Sequence, residues 1–87
     1  MIFIRTKRYR RKYQKLDKKI YAALRERLAL FLENPRHPLL DNHALTGDRA
    51  GERSINITGD WRLIFEELDE NTVRLLDVDT HHNLYGT

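Results

Sequence analysis

Four histidines, His37, His43, His81 and His82, are the side chains here best suited to moving a proton near neutral pH, because imidazole titrates at about 6.5. Other common catalytic signatures are missing. The sequence holds no cysteine, no Gly-rich phosphate loop and no Ser-His-Asp order. It has no His-Glu-x-x-His pattern, and the adjacent pair His81-His82 cannot easily turn both rings to one ion. Asp77, Asp79 and His81 alternate along one stretch, but acids near a sheet edge ordinarily serve to keep other strands away. Neither a metal nor an organic cofactor is expected. Acid–base chemistry is what remains.

Metal-free cleavage of RNA is one reaction such a set would fit. It needs a base to take the proton of the 2′-hydroxyl, an acid to protonate the leaving 5′-oxygen, and a cation to steady the phosphorane between them. His43, Asp60 and His81 can fill the first two roles, and Arg53, Arg62 or Arg49 the third. Tyr85 can stack on a base or donate a hydrogen bond. Taken singly, each histidine is better explained by a surface or a turn.

The best-marked element that could position these groups is a hairpin. Runs suited to strands, residues 53–57 and 61–65, flank Thr58-Gly59-Asp60, a spacing that predicts a tight, Gly-containing loop. Asp60 then stands at the mouth of the second strand with Trp61 and Arg62 behind it. An acid, an aromatic and a guanidinium on a rigid strand end suit a phosphate-handling site. The same residues also make a plain corner, with a turn Asp, a core Trp and a solvated Arg.

The rest of the chain reads as a small α+β domain. Residues 2–5 form a first strand, and Thr6 caps a helix in which Tyr9, Tyr13 and Leu16 recur at steps of four and three. Asp17 caps a second helix running to about Glu33, with Ile20, Leu24, Leu28, Phe31 and Leu32 as its buried stripe. Asn34-Pro35 ends it, since the residue before a proline disfavours helix. A loop over 36–42 and a turn over 48–51 precede the hairpin. A turn at 69–72 leads to a last strand, 73–80, which runs into His81-His82-Asn83-Leu84-Tyr85. The order β-α-α-β-β-β implies an antiparallel sheet packed against an N-terminal helical hairpin. Two places break clean alternation: Ile64 is apolar between Leu63 and Phe65, and Leu75 and Leu76 stand side by side. A partner segment or the loop over 36–50 would have to cover that second face.

At 87 residues the chain is one domain, 1–87, with a modest core. The longest apolar run, residues 28–32, is far too short to span a bilayer. Residues 1–4 lead straight into basic sequence, unlike a signal peptide. With no cysteine, the expectation is a cytoplasmic protein with no membrane association. Net charge is uneven: residues 1–27 carry eleven Lys/Arg against two acids, +9, and residues 28–87 five against eleven, −6. A basic end on a small domain attracts a polyanion, and a solvated helix face is the plain alternative.

Four segments together carry a resemblance: Asn42-His43-Ala44-Leu45-Thr46-Gly47, Gly51-Glu52-Arg53, Gly59-Asp60-Trp61-Arg62-Leu63-Ile64-Phe65, and Thr80-His81-His82-Asn83-Leu84-Tyr85-Gly86. In this order they resemble the RelE/ParE toxin superfamily, and within it the YafQ-like mRNA interferases. The resemblance covers nearly the whole chain, and the Asp-Trp strand start and the Thr-His-x-x-Leu-aromatic-Gly ending are its most specific parts.

The resemblance implies the toxin of a type II toxin–antitoxin system. Such toxins cut mRNA in the ribosomal A site and are silenced by an acidic antitoxin that wraps them in a hetero-oligomer. It matches His43, Asp60, Trp61, His81 and Tyr85 to the family's motif positions, and by the chemistry above Arg62 or Arg53 would steady the phosphorane. Lys7, Arg8, Arg10, Arg11 and Lys12 of the basic helix would meet RNA phosphates, with Arg49, Arg53 and Trp61 nearer the cut. One position departs: the relatives have another histidine four residues before the Asp, and here Asn56 stands there. A ParE-like toxin that binds DNA gyrase, or a non-catalytic RNA-binding module, are the alternative readings.

Overall fold

Thr6 ends a strand and starts a helix with one side chain. Its hydroxyl donates to Leu75 O at 2.8 Å and accepts from Tyr9 N at 3.3 Å, so the first helix is capped and fastened to the sheet at once. The computed structural model describes residues 1–86, in the order β1 (Ile2–Arg5), α1 (Lys7–Tyr13), α2 (Lys18–Glu33), β2 (His43–Ala44), β3 (Arg53–Asn56), β4 (Trp61–Asp69), β5 (Thr72–Thr80) and α3 (His81–Tyr85). Short 3₁₀ turns at Pro38–Leu40 and Gly47–Arg49 flank β2. Asp17 caps α2 as expected, its carboxylate accepting from Ile20 N at 2.9 Å. Among the described residues, no helix is long and apolar enough to cross a membrane.

The five strands form one sheet in the order β1-β5-β4-β3-β2. β2 through β5 are antiparallel, but β1 runs parallel to β5, with Ile2 opposite Thr72 and Arg5 opposite Leu75. The expectation of a wholly antiparallel sheet is corrected at this edge. A hairpin cannot join parallel neighbours, whereas the long connection through both helices and the later strands can. β2 is a second addition, two residues paired to β3 where only a loop was expected.

The α2 stripe faces the sheet. Leu24 and Phe31 join Tyr9, Leu40, Ile55, Leu63, Phe65 and Leu75 in one buried cluster, with Phe31 edge-on to Phe65 at 5.3 Å between ring centres. Leu32 does not belong to it. One residue, or about 100°, further round the helix, it is 52 % exposed and borders a groove between α1, α2 and β1.

The breaks in alternation also resolve. Ile64 pairs with Asp77 and Phe65 with Leu75, which leaves Leu76 unpaired as a β-bulge. On the second face Ile64 is 0 % exposed within the chain itself. Near its pairing partner, Arg49 and Glu52 share a groove with Leu76 and Asp77, and Arg49 Nη2 donates to Leu84 O at 3.4 Å.

The chain does not end as a strand. Thr80 caps α3, its hydroxyl accepting from Asn83 N at 3.2 Å, and Gly86 closes the helix at φ 75° with its N–H on His82 O at 2.7 Å. That positive φ is the left-handed C-cap for which glycine is favoured.

Candidate active site

The hairpin corner is built by Thr58. Its hydroxyl accepts from Trp61 N at 3.1 Å and Asp60 N at 3.3 Å, a side chain standing in for a backbone turn. Arg62 braces the same corner. Its Nη1 donates to the carbonyls of Thr58, Gly59 and Trp61 at 3.0, 3.2 and 3.0 Å. Asp60 is left exposed at the tip, and its carbonyl accepts from His81 N at 2.7 Å. One backbone bond thus joins two groups that are 21 positions apart in the sequence.

His81 opens α3, half-buried, and its ring meets that of Tyr85 edge-on at 4.6 Å. The Tyr85 hydroxyl is buried and has no partner among the described residues. The ring packs edge-on against the imidazole of His81.

His43 stands on β2 opposite Ser54, in a cross-strand row that continues through Ile64 to Asp77. The next row on that face is Asn56, Arg62 and Asp79. His43 therefore looks out over the same face as Arg62, from the opposite edge. Three strand intervals separate β2 from β5, roughly 14 Å at the usual spacing, so the two histidines flank the face and do not meet. The His43 ring is 48 % exposed, with Nδ1 2.8 Å from Asp41 O. A carbonyl can only accept, so Nδ1 carries the proton and Nε2 is the free nitrogen. Between the histidines lies Asn56, whose Oδ1 is buried with no partner among the described residues.

Several expected contacts with RNA are already committed elsewhere. Arg53 shares the row of Phe65 and Leu75 on the helix-covered face, where it donates to Asn42 Oδ1 at 2.8 Å and lies 3.7 Å from Glu67. It pins the loop before β2 and is turned away from the histidines. Arg49 bonds Glu52 at 3.0 Å besides bracing Leu84. Trp61 is half-buried against the core and lines a groove of about 260 Å³ with Lys12, Lys15, Leu16, Val78 and Asp79.

Lys12 is paired within the chain as well. Its Nζ lies 2.9 Å from Asp77 Oδ1 and 2.8 Å from Asp79 Oδ2. Asp79 Oδ1 accepts from Thr80 N at 2.7 Å and Asn83 Nδ2 at 2.9 Å. Burial alone would raise the Asp79 carboxyl, but the bonds from Lys12, Asn83 and Thr80 outweigh it and hold the group below its ordinary value. A depressed carboxylate contributes stability above the unfolded-state value and loses it as pH falls through its own. Lys12 is shifted the other way: desolvation lowers it, and the bonds to Asp79 and Asp77 prevail and raise it. Lys7, Arg8, Arg10 and Arg11 remain exposed on α1, and Arg8, at 64 % exposure, has only a 3.9 Å contact with Asp77.

The family model of the bacterial toxin of type II toxin–antitoxin systems, YafQ, matches residues 2–86. The chain belongs to the YafQ toxin family. No curated protein sequence matches it significantly. Among solved structures, YafQ from E. coli is 24 % identical with a TM-score of 0.77, covering 97 % of each chain. The YoeB/ParE toxin from Agrobacterium tumefaciens is 20 % identical with a TM-score of 0.77, covering 93 % of this chain and 99 % of its own. The toxin–antitoxin complex RelBE2 from Mycobacterium tuberculosis has a chain 32 % identical to this one, with a TM-score of 0.68, over 92 % of this chain and 96 % of that one.

In this YafQ-family chain, Thr58, Asn42, Lys12 and Asp79 hold the site still, a bracing part that sequence reasoning gave to none of them. Thr58 had a legible signal, a hydroxyl residue three before a strand's first residue. Lys12 and Asp79 had none, because a pairing over 67 positions leaves no local pattern.

Proposed function

We propose that this toxin is an endoribonuclease that cuts ribosome-bound mRNA in the cytoplasm by acid–base catalysis from His43 and His81. The observation that carries the reading is the 2.7 Å bond by which Asp60 and His81 are joined at one sheet end, across an open face from His43. His43, with Nδ1 committed to Asp41 O, offers Nε2 as the base for the 2′-hydroxyl proton. The 2′-oxygen attacks phosphorus, and the 5′-oxygen departs with a proton from His81. Arg62 spends one nitrogen on the hairpin corner, and its remaining donors face the phosphorane, a geometry that Lys would not reproduce. Asp60, an exposed carboxylate, is a weak base and orients the attacking hydroxyl or a histidine. Asn56 contributes no proton transfer, since an amide does not titrate near neutrality.

The bonds made and broken leave a 2′,3′-cyclic phosphate and a 5′-hydroxyl. Mapping the 3′ ends of a message cut on purified ribosomes tests this, with and without chelator. The expected result is a cyclic phosphate that chelation does not abolish. A 3′-hydroxyl would point to metal-assisted hydrolysis, and growth arrest with uncut message to gyrase binding.

The partner in this reading is an acidic antitoxin, as the RelBE2 and YoeB-YefM complexes of its structural neighbours support. The +9 segment supplies complementary charge. A groove of about 530 Å³ between α1, α2 and β1, with Tyr9, Tyr13, Leu28 and Leu32 below and Arg5 and Arg25 beside it, offers an apolar seat. Co-expression with a small acidic protein encoded beside it should give a co-purifying complex whose affinity falls with added salt. A toxin harmless alone, with no such neighbour, would overturn this.

A further inference from the structure

The two chemical elements of this face are anchored very differently. Arg62 sits on a strand paired on both sides, with Asp60 immediately before it in the hairpin corner, but His81 and Tyr85 sit on a five-residue helix. A helix of one turn has no stability of its own. α3 is therefore kept in place by what grips it from outside. Leu84 is buried beneath it and Arg49 holds its C-terminal end at Leu84 O. At its N-terminal end, where His81 N bonds Asp60 O, the side chain that grips it is Asp79. One carboxylate oxygen takes Thr80 N and Asn83 Nδ2, and the other takes Lys12 Nζ.

Lys12 in turn lies 2.9 Å from Asp77, whose side chain is 5 % exposed. The lysine is thereby fixed between two carboxylates on β5. A lysine in the basic helix is thus drawn off the solvent-facing row and tied to the residue that precedes the cap of α3. Its neighbours Arg10 and Arg11 stay exposed.

We propose that Lys12 and Asp79 are positioning residues for His81: they form a clamp from α1 through β5 that sets where α3, and with it the imidazole, stands against Asp60. The proposal rests on the reading of His81 as the acid only for its effect on cleavage. Its effect on α3 is independent of any activity. The clamp acts on orientation, and a misplacement of about 1 Å in a reacting group costs on the order of 10²-fold in rate. It makes no contact with substrate, so ribosome affinity is outside its reach.

The experiment compares Asp79→Asn, Lys12→Met, Lys12→Arg and Asn83→Ala with the parent protein. Amide hydrogen exchange is read at Gly86, whose N–H bonds His82 O, and at the β4 and β5 amides. Cleavage rate and affinity are measured separately on purified ribosomes. Asp79→Asn and Lys12→Met should speed exchange at Gly86 at least tenfold while the sheet amides keep their protection. They should also slow cleavage tenfold to a hundredfold at unchanged affinity. Lys12→Arg should restore both. Asn83→Ala, an exposed position, should show the same pattern more weakly, and it decides the matter should Lys12→Met unfold by leaving Asp77 unpaired.

Weaker ribosome binding by Lys12→Met, with Gly86 exchange unmoved, would overturn the clamp and make Lys12 a phosphate contact. A parent protein that cuts nothing would refute the nuclease reading, and Gly86 exchange would still decide the clamp.

Discussion

Cleavage of ribosome-bound message by His81→Ala protein is expected to fall by roughly 10²- to 10⁴-fold, the usual contribution of one positioned proton donor. The loss should sit in the single-turnover rate and leave ribosome affinity alone, since the proton moves only in the transition state. The fold should survive. His81 is half-buried, and the contact it loses is the edge-on meeting with Tyr85, worth about 1 kcal/mol. Thermal melting of the variant checks this beside the rate. His43→Ala should lose a similar factor, and the double variant should be little worse than either single one, because groups acting on one phosphate fail together. Full cutting by His81→Ala protein would remove the histidine from the mechanism.

The second large effect is on binding. Lys7, Arg8, Arg10 and Arg11 are the exposed cations of α1, and each phosphate they neutralise adds about 0.7 to 0.9 to the steepness of log affinity against log salt. Replacing all four by Gln should flatten that slope by about three units. Between 50 and 200 mM salt the parent would then lose roughly 10²-fold more affinity than the variant. Positions of cutting should stay as they are, because phosphate contacts carry no sequence information. A shifted pattern of cut sites at unchanged affinity would contradict this. Lys12 is left out of the set because its charge is already spent on Asp77 and Asp79.

Much of this arrangement could be read from local pattern. Thr58-Gly59-Asp60 between two apolar runs marks a hairpin corner, and the structure has one there. Thr6 and Asp17 mark the helix starts because a cap is a matter of one side chain and a few neighbouring N–H groups. The adjacent Leu75 and Leu76 told of something irregular, and a bulge is what an extra residue between two fixed rows must become. The face on which Arg53 lies was legible too: it alternates with Ile55 and Ile57, both buried, and so belongs to their face.

What stayed hidden was either too short or too distant. Two residues of β2 and five of α3 are too few for any period to repeat, so only the flanking Thr80 and Gly86 hinted at a helix. The Lys12 pairings join residues whose charges, in sequence, simply sort the chain into a basic half and an acidic half. Which cations face solvent is decided by tertiary neighbours. So is the parallel edge, where β1 has no local partner to announce its direction.

That edge bears on when the molecule comes into being. Thr6 reaches Leu75, 69 residues away, and β1 has no sheet neighbour but β5. During synthesis the basic helices emerge first, with nothing to lie against. The hairpin of β3 and β4 follows, still lacking the strand that belongs beside it. Contacts of such long separation form late, since the loop between them must be closed first. β5 completes the sheet, and His81 comes directly after it. On the proposed reading, the catalytic face is therefore not assembled until β5 and α3 have both been made.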